Sequence, residues 1–236
     1  MNFRIKILVY LYKYLREIRF FRINYHAFLS MKTLVEFIFK PREDLFFIQI
    51  GGNDGISFDW LYSFLSAKKS SGIIVEPVPE YFKQLEQNYS NPNITLLNVA
   101  MHPSKKQEII YIVDKKQYQE YPDWVKGIAS FDKEHLLSLG IELGHIVENI
   151  VNCMDFSEIL HFRKMRYVDY LQIDTEGFDF EIIKMIPFNE FKPLVIRYEN
   201  QNLSKNDSDS CRCLLSDNGY YLVDFDNDTL AVLLKK

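Results

Sequence analysis

Apolar and polar positions along the chain fall into short runs that alternate between strand and helix character. Residues 46–50 form an apolar, branched run that predicts a strand buried on both faces. It breaks at Gly51-Gly52-Asn53-Asp54-Gly55, after which Ile56, Trp60, Leu61, Phe64 and Leu65 recur at helical spacing. Further strands are predicted over 73–76, 94–100, 108–113, 147–154, 167–174 and 194–199. Helical patterns cover 81–89, 156–165, 178–186 and 207–218, the second capped by Asp155 or Ser157 and the last closed by Gly219. Residues 220–223 and 230–234 read as a hairpin across Asp226-Asn227-Asp228. Residues 114–130 are polar and aromatic without a period and are expected to be a loop, and 136–144 is a short helix at best.

This alternation predicts an α/β fold with a mainly parallel sheet, right-handed crossovers and the closing hairpin as an antiparallel edge. Ligands of such sheets bind beyond the carboxyl ends of the strands. Gly51, Glu76, Asn98, Asp174 and Glu199 all fall at those ends. Gly51 and Gly55 allow a sharp turn and close approach of backbone to a ligand. Glu76 follows Gly51 by 25 residues; an acid on ribose hydroxyls stands roughly 20 residues past the Gly turn of a nucleotide-binding sheet. Each feature also has a purely structural reading. Asp174 can cap the next helix, Glu176 suits the positive end of that helix, and Gly177 permits close helix–strand packing. The convergence of several such residues favours a ligand site.

Residues 1–40 differ from the remainder. A helix predicted over 3–22 places Ile7, Leu8, Leu11, Tyr14, Leu15 and Ile18 on one face, with a second amphipathic stretch over 31–39. Eight bases face only Glu17 and Glu36 there, a net of +6, which leaves −10 on residues 41–236 of a chain whose total is −4. A basic amphipathic extension suits either an anionic membrane surface or packing on the domain as a cap or homodimer element; packing is the favoured expectation. No stretch approaches a membrane-spanning length, and no signal peptide is apparent. Cys153, Cys211 and Cys213 are odd in number, and Cys211 and Cys213 are too close for an ordinary disulfide, so a cytoplasmic protein with reduced thiols is expected. His102, His135, His145 and His161 are expected on the surface or in loops, and His26 in packing, because no two share metal spacing.

Two patches resemble the FkbM family of S-adenosylmethionine-dependent methyltransferases. One is Ile50-Gly51-Gly52-Asn53-Asp54-Gly55; the other is Ile173-Asp174-Thr175-Glu176-Gly177-Phe178-Asp179, similar to that family's Asp-x-Glu-Gly-x-Glu signature. Val75-Glu76-Pro77, Asn98-Val99-Ala100, Ala129-Ser130 and residues 151–156 follow the family's order, so the resemblance spans about 45–234. It implies a class I, Rossmann-like, seven-stranded sheet with a reversed last strand, and methyl transfer to a hydroxyl of a sugar, polysaccharide, lipid or natural product. Gln49 departs from the pattern, since related enzymes carry an acid at that strand end.

With that cofactor, the Gly51–Gly55 turn would pass under the methionine portion, and Asn53 would meet its ammonium or carboxylate. Glu76 would accept both ribose hydroxyls, Asn98, Val99 and Ala100 would border the adenine, and Ser130 would close over the site. Proton removal from the acceptor falls to Asp174, Glu176 or Glu199 acting directly. The alternative is Mg2+ on Asp174, Glu199 and Asn200, similar to the metal site of catechol-type O-methyltransferases. Tyr118, Tyr121 and Trp124 either offer flat surfaces for a glycan or small-molecule acceptor or anchor their own loop. An acidic body excludes nucleic acid as the expected partner. Two rivals remain at this level, a nicotinamide-dependent oxidoreductase and a non-catalytic binding module. The first lacks the Gly-x-Gly spacing and a Tyr-x-x-x-Lys pair, whereas Gln49 leans towards the second.

Overall fold

A computed structural model describes residues 3–18, 29–57, 59–162 and 167–234. The chain begins with α1 (Phe3–Glu17) and α2 (Met31–Phe39), followed by β1 (Asp44–Ile50), α3 (Leu61–Ser66), β2 (Lys69–Val75), α4 (Pro79–Asn88) and β3 (Ile94–Leu97). Next come β4 (Ala100–Met101), β5 (Gln107–Val113), β6 (Ala129–Ser130), α5 (Lys133–Ser138), β7 (Ile146–Met154) and α6 (Phe156–Phe162). It ends with β8 (Tyr170–Ile173), α7 (Asp179–Met185), β9 (Val195–Glu199), α8 (Lys205–Asp217), β10 (Tyr220–Phe225) and β11 (Asp228–Leu233). The predicted extent of the first helix to residue 22, the end of the helix predicted to residue 165, and His26 lie outside the described residues.

Seven strands form the main sheet in the order β10-β11-β9-β8-β1-β2-β3. Only β11 is reversed, antiparallel to both β9 and β10. The expected antiparallel edge is therefore corrected. The tight turn at Asp226-Asn227 folds β11 back into the gap beside β9, and β10, parallel to β9, becomes the edge.

Residues 100–154 build a second, four-stranded sheet in the order β4-β7-β5-β6. Two expectations change here. The run 94–100 is not one strand: β3 stops at Leu97, and Ala100 and Met101 pair instead with Cys153 and Met154 of β7. The expected loop 114–130 is two 3-10 turns, Lys115–Glu120 and Asp123–Gly127, leading into β6. Asp114 caps the first turn by accepting from the Lys116 amide. Val125 and Ile128 pack with Val113, Leu136 and Ile141 in a small core of their own. A segment that buries apolar side chains every few residues this way needs no long-range periodicity to be ordered.

Alternation along β1 sends Ile48 and Ile50 to one face of the main sheet and Phe47 to the other. The first face meets α6, α7 and α8 through Phe156, Ile182, Ile183 and Leu215. The second is covered in large part by the N-terminal extension. Leu34, Val35, Ile38 and Phe39 of α2 and Val9 and Tyr12 of α1 join Phe47, Ile74, Tyr170 and Val195 in a single cluster. Ser30 caps α2 by accepting from the Thr33 amide. Arg16 closes α1 onto the domain, donating to the carbonyls of Leu29 and Asp224, each at 2.9 Å. The extension packs on the domain, but not through the whole of the expected face: Val9 and Tyr12 are buried with Leu8 and Leu15 beside them, whereas Ile7, Leu11 and Tyr14 stay exposed. All three cysteines are free.

Because Tyr12 is sealed in this cluster and Tyr14 is 63% exposed, the two tyrosines should respond differently to truncation. Tyr12→Ala should cost about 3 kcal/mol or more in urea unfolding, and Tyr14→Ala less than about 0.5 kcal/mol. Equal effects would mean that α1 does not pack as described.

Candidate active site

The Gly turn is fixed from both sides. The amides of Gly51 and Gly52 both donate to the Val75 carbonyl at 3.0 Å. Gly51 has φ +82, and a Cβ there would overlap the carbonyl oxygen of Asp174. Only glycine satisfies both conditions. Asn53 follows with φ 46, and its amide donates to Glu76 Oε2 at 2.7 Å. The other oxygen of Glu76 accepts from the Val78 amide at 2.8 Å. Glu76 is 4% exposed, and burial pushes its pKa up to about 7 against the pull of those two amides. Turn and acid are thus one hydrogen-bonded unit. Asn98 supports it from behind, donating to the carbonyls of Glu76 and Pro77, and does not reach the cavity where adenine was expected.

Asp174, Glu176 and Glu199 form the second part. One oxygen from each lies within 4.8 Å of the others. Asp174 follows β8, and Glu176 sits in the left-handed region at φ 52, an uncommon conformation for a residue with a side chain. Burial, then the neighbouring acids, raises the pKa of Glu199. Burial also raises Asp174, which Arg197 partly offsets from 3.6 Å. With 36% of its side chain open to the cavity, Asp174 keeps some contact with solvent, which tempers that rise. Asn202 donates to both Glu176 (3.0 Å) and Glu199 (2.7 Å). His135 Nε2 stands 3.3 Å from Glu176, so this histidine, expected in a surface or loop position, belongs to the site's supporting shell. Ser130 also supports Glu176, donating to its carbonyl at 3.1 Å rather than lining the cavity. The fully buried Asp179 accepts from the amide and hydroxyl of Thr175 and from the Glu199 amide, locking the two acidic loops together. Asn200 turns away to donate to Thr229 Oγ1 at 2.7 Å. Asn200 therefore does not join Asp174 and Glu199 as expected; the side chain that approaches both is that of Glu176.

A third part joins Gln49, noted in the sequence, to Asp59 and Gln172, which were not. Gln49 and Gln172 are cross-strand neighbours on β1 and β8, and both donate to Asp59 Oδ2, at 2.9 and 2.6 Å. Gln49 carries no charge, yet a carboxylate from the following loop occupies its surroundings. Gln49 is 2% exposed, and its Oε1 has no partner among the described residues.

These parts line one cavity of about 570 Å³, a size typical of small-molecule sites. Gly51, Gly52, Asn53, Glu76, Val99, Ala100, Asp174, Glu176 and Glu199 reach it, whereas Gly55, Asn98, Ser130 and Asn200 stand behind its wall. The second sheet and the turn leading into it add Trp124, Ile128, Ala129 and Phe131 to the lining. Of the three aromatics expected to face an acceptor, Trp124 alone lines the cavity. Tyr118 is bonded to Tyr81 and Tyr121 to His145.

A family model described as the Methyltransferase FkbM domain matches residues 49–222, well over half of the chain. The chain belongs to the FkbM methyltransferase family. No curated protein matches its sequence. Among solved structures, methyltransferase FkbM from Methylobacillus flagellatus KT superposes with a TM-score of 0.50 at 13% identity, over 80% of this chain and 44% of that one. This FkbM-family chain therefore spans less than half of that relative's length. The METTL16 MTase domain also aligns, with a TM-score of 0.46 at 13% identity, covering 91% of this chain and 68% of that one. The precorrin-6y C5,15-methyltransferase from Geobacter metallireducens GS-15 aligns at 0.40 and 14% identity, covering 84% and 85%. The sheet order places this family member's fold in the class I methyltransferase group. Family membership sets the nicotinamide-dependent reading aside.

Raised carboxylate pKa values have a definite sign in stability. The folded protein holds protons that the unfolded chain releases near pH 4, so stability is full below that value and is lost as pH rises through the folded pKa. Glu199→Gln, which removes one charge from the cluster, should leave the melting temperature unchanged at pH 4 and stabilise the protein by about 1 kcal/mol at pH 8–9. A difference that does not vary with pH would show that Glu199 ionises as an ordinary carboxylate.

Proposed function

We propose that this FkbM-family protein is an S-adenosylmethionine-dependent O-methyltransferase whose acceptor is a hydroxyl of a saccharide or a saccharide-linked small molecule. The observation that carries this reading is the opening of the acidic cluster Asp174, Glu176 and Glu199 onto the same cavity as the Gly51 turn and Glu76.

The cavity's donors and acceptors fit the cofactor. Glu76 spends one acceptor site of each oxygen on backbone amides and keeps others for two ribose hydroxyls. The orphan Gln49 Oε1 and the Asp59 carboxylate match an ammonium group, which brings three donors and a positive charge. Val99 and Ala100 offer the apolar border that an adenine needs. When bound, S-adenosylmethionine supplies a methyl group on a sulfonium, ready for in-line displacement by an oxygen. The chain's own task is to orient that oxygen and take its proton. A carboxylate with raised proton affinity is a stronger base than one in water, and Asp174 and Glu199 both have it. Asn202, held between Glu176 and Glu199, fixes their spacing. Trp124, 40% exposed at the cavity wall, offers a flat apolar face to the C–H side of a sugar ring. An overall charge of −4 disfavours phosphate-rich acceptors such as nucleic acid.

A second reading places Mg2+ on Asp174, Glu176 and Glu199, whose oxygens are close enough to share an ion. Arg197, 3.6 Å from Asp174, already supplies positive charge there, which favours direct proton transfer. Turnover that survives excess chelator would decide for the carboxylates alone; loss of turnover restored by magnesium would decide for the metal.

Calorimetry should find S-adenosylmethionine binding weakened by about 1.5–3 kcal/mol in Glu76→Ala. Trp124→Ala should raise the acceptor KM and leave cofactor affinity unchanged. Labelled methyl should pass to glycan precursors. Label found only on RNA, DNA or protein would sink the acceptor assignment. Cofactor binding without transfer to any acceptor would leave a non-catalytic module.

A further inference from the structure

The helix α1 has two apolar faces where packing needs one. Val9 and Tyr12 are buried against the domain. On the other side Ile7, Tyr10, Leu11 and Tyr14, spaced three and four apart, form one stripe and are exposed by 51%, 50%, 48% and 63%. Arg4 lies on one border of this stripe and Lys6 and Lys13 on the other, as helical spacing requires. The stripe is held in place: Tyr10 meets the Tyr221 ring edge-on at 4.5 Å, and the Lys13 ammonium sits 5.1 Å from the same ring.

We infer that α1 is a membrane-surface helix, laying its Ile7–Leu11–Tyr14 stripe on an anionic lipid bilayer. Apolar side chains flanked by lysine and arginine, with tyrosines at the boundary, match the layering of acyl chains under acidic headgroups. Charge selects this occupant. The extension carries +6 and the remainder −10, so an anionic surface attracts α1 while repelling the acidic body. Glu17 is the one acid on the helix, at its last position. A second copy is a poorer occupant, because a symmetric pair through this stripe would set Arg4, Lys6 and Lys13 against their own kind. At 15 residues α1 is about 22 Å long. Among the described residues no helix is long and apolar enough to cross a membrane. The helix lies on the surface.

The test is co-sedimentation of the full chain with phosphatidylglycerol–phosphatidylcholine vesicles and with phosphatidylcholine alone. Binding should require the anionic lipid and weaken as salt rises from about 0.05 to about 0.5 M. Ile7→Ser, Leu11→Ser and Tyr14→Ser together should lower partitioning by at least about tenfold while the melting curve stays put. The independent pair Lys6→Glu and Lys13→Glu should lower it about fivefold or more per position. No sedimentation with anionic vesicles, equal sedimentation with neutral ones, or undiminished binding by both variants would overturn the inference. So would a concentration-dependent dimer that the serine variant abolishes without any vesicle binding. None of these readouts needs cofactor or acceptor, so they stand apart from the methyl-transfer assay.

Discussion

Everything at the site depends on how closely β1 and β8 run together at their carboxyl ends. The Asp174 amide donates to the Ile50 carbonyl at 3.0 Å, which carries the parallel ladder one residue past the end of β8 onto the last residue of β1. Gly51 then fits beneath the Asp174 carbonyl because it has no side chain. This contact holds the turn that meets Glu76 against the loop that carries Asp174 and Glu176. Moving the two strands apart by one methyl group would separate the nucleotide half of the cavity from its acidic half.

Crowding several carboxylates beside that contact is unfavourable, and the surrounding residues offset it in different ways. Arg197, 12% exposed, is shared between Asp174 and Asp228. Asp179 is satisfied by three donors and so holds its neighbours in place. The left-handed conformations of Asn53 and Glu176, both at the cavity, add local strain. Such costs persist only where the rest of the fold over-determines the geometry, here two hydrophobic clusters on either face of the main sheet.

The parts legible in the sequence were those written in neighbouring residues. A buried strand followed by Gly51 and, one unit later, Glu76 carries its own periodicity and spacing, as does Asp174 after its strand. Residues whose roles depend on distant partners were not legible. Asp59 was not singled out, since the pairing that gives it a role is with Gln172, 113 positions away, and with Gln49, a glutamine that local pattern does not link to it. His135 looked exposed because Glu176, which it meets, lies on the other side of the cavity wall. Asn98, Ser130 and Asn200 are chain neighbours of residues that line the cavity, but the direction of each side chain is set by tertiary hydrogen bonds. The order inside 114–130 was hidden for a related reason: its apolar residues pack in a local core and follow no helical or strand period.

The reversed strand β11 has a consequence for the order of assembly. It follows β10 in sequence, the last strand among the described residues, yet it lies between β9 and β10 and pairs with both. While the chain emerges from a ribosome, β9 keeps an open edge of backbone donors and acceptors until residues 228–233 appear. The wall of the site that holds Glu199 therefore stays unfinished longest, since the amides of Asn200 and Gln201 both await the Asn227 carbonyl. An unpaired edge of that kind is where nascent chains pair wrongly. Ribosomes paused before Asp228 should carry the segment that protease and chaperone recognise most readily.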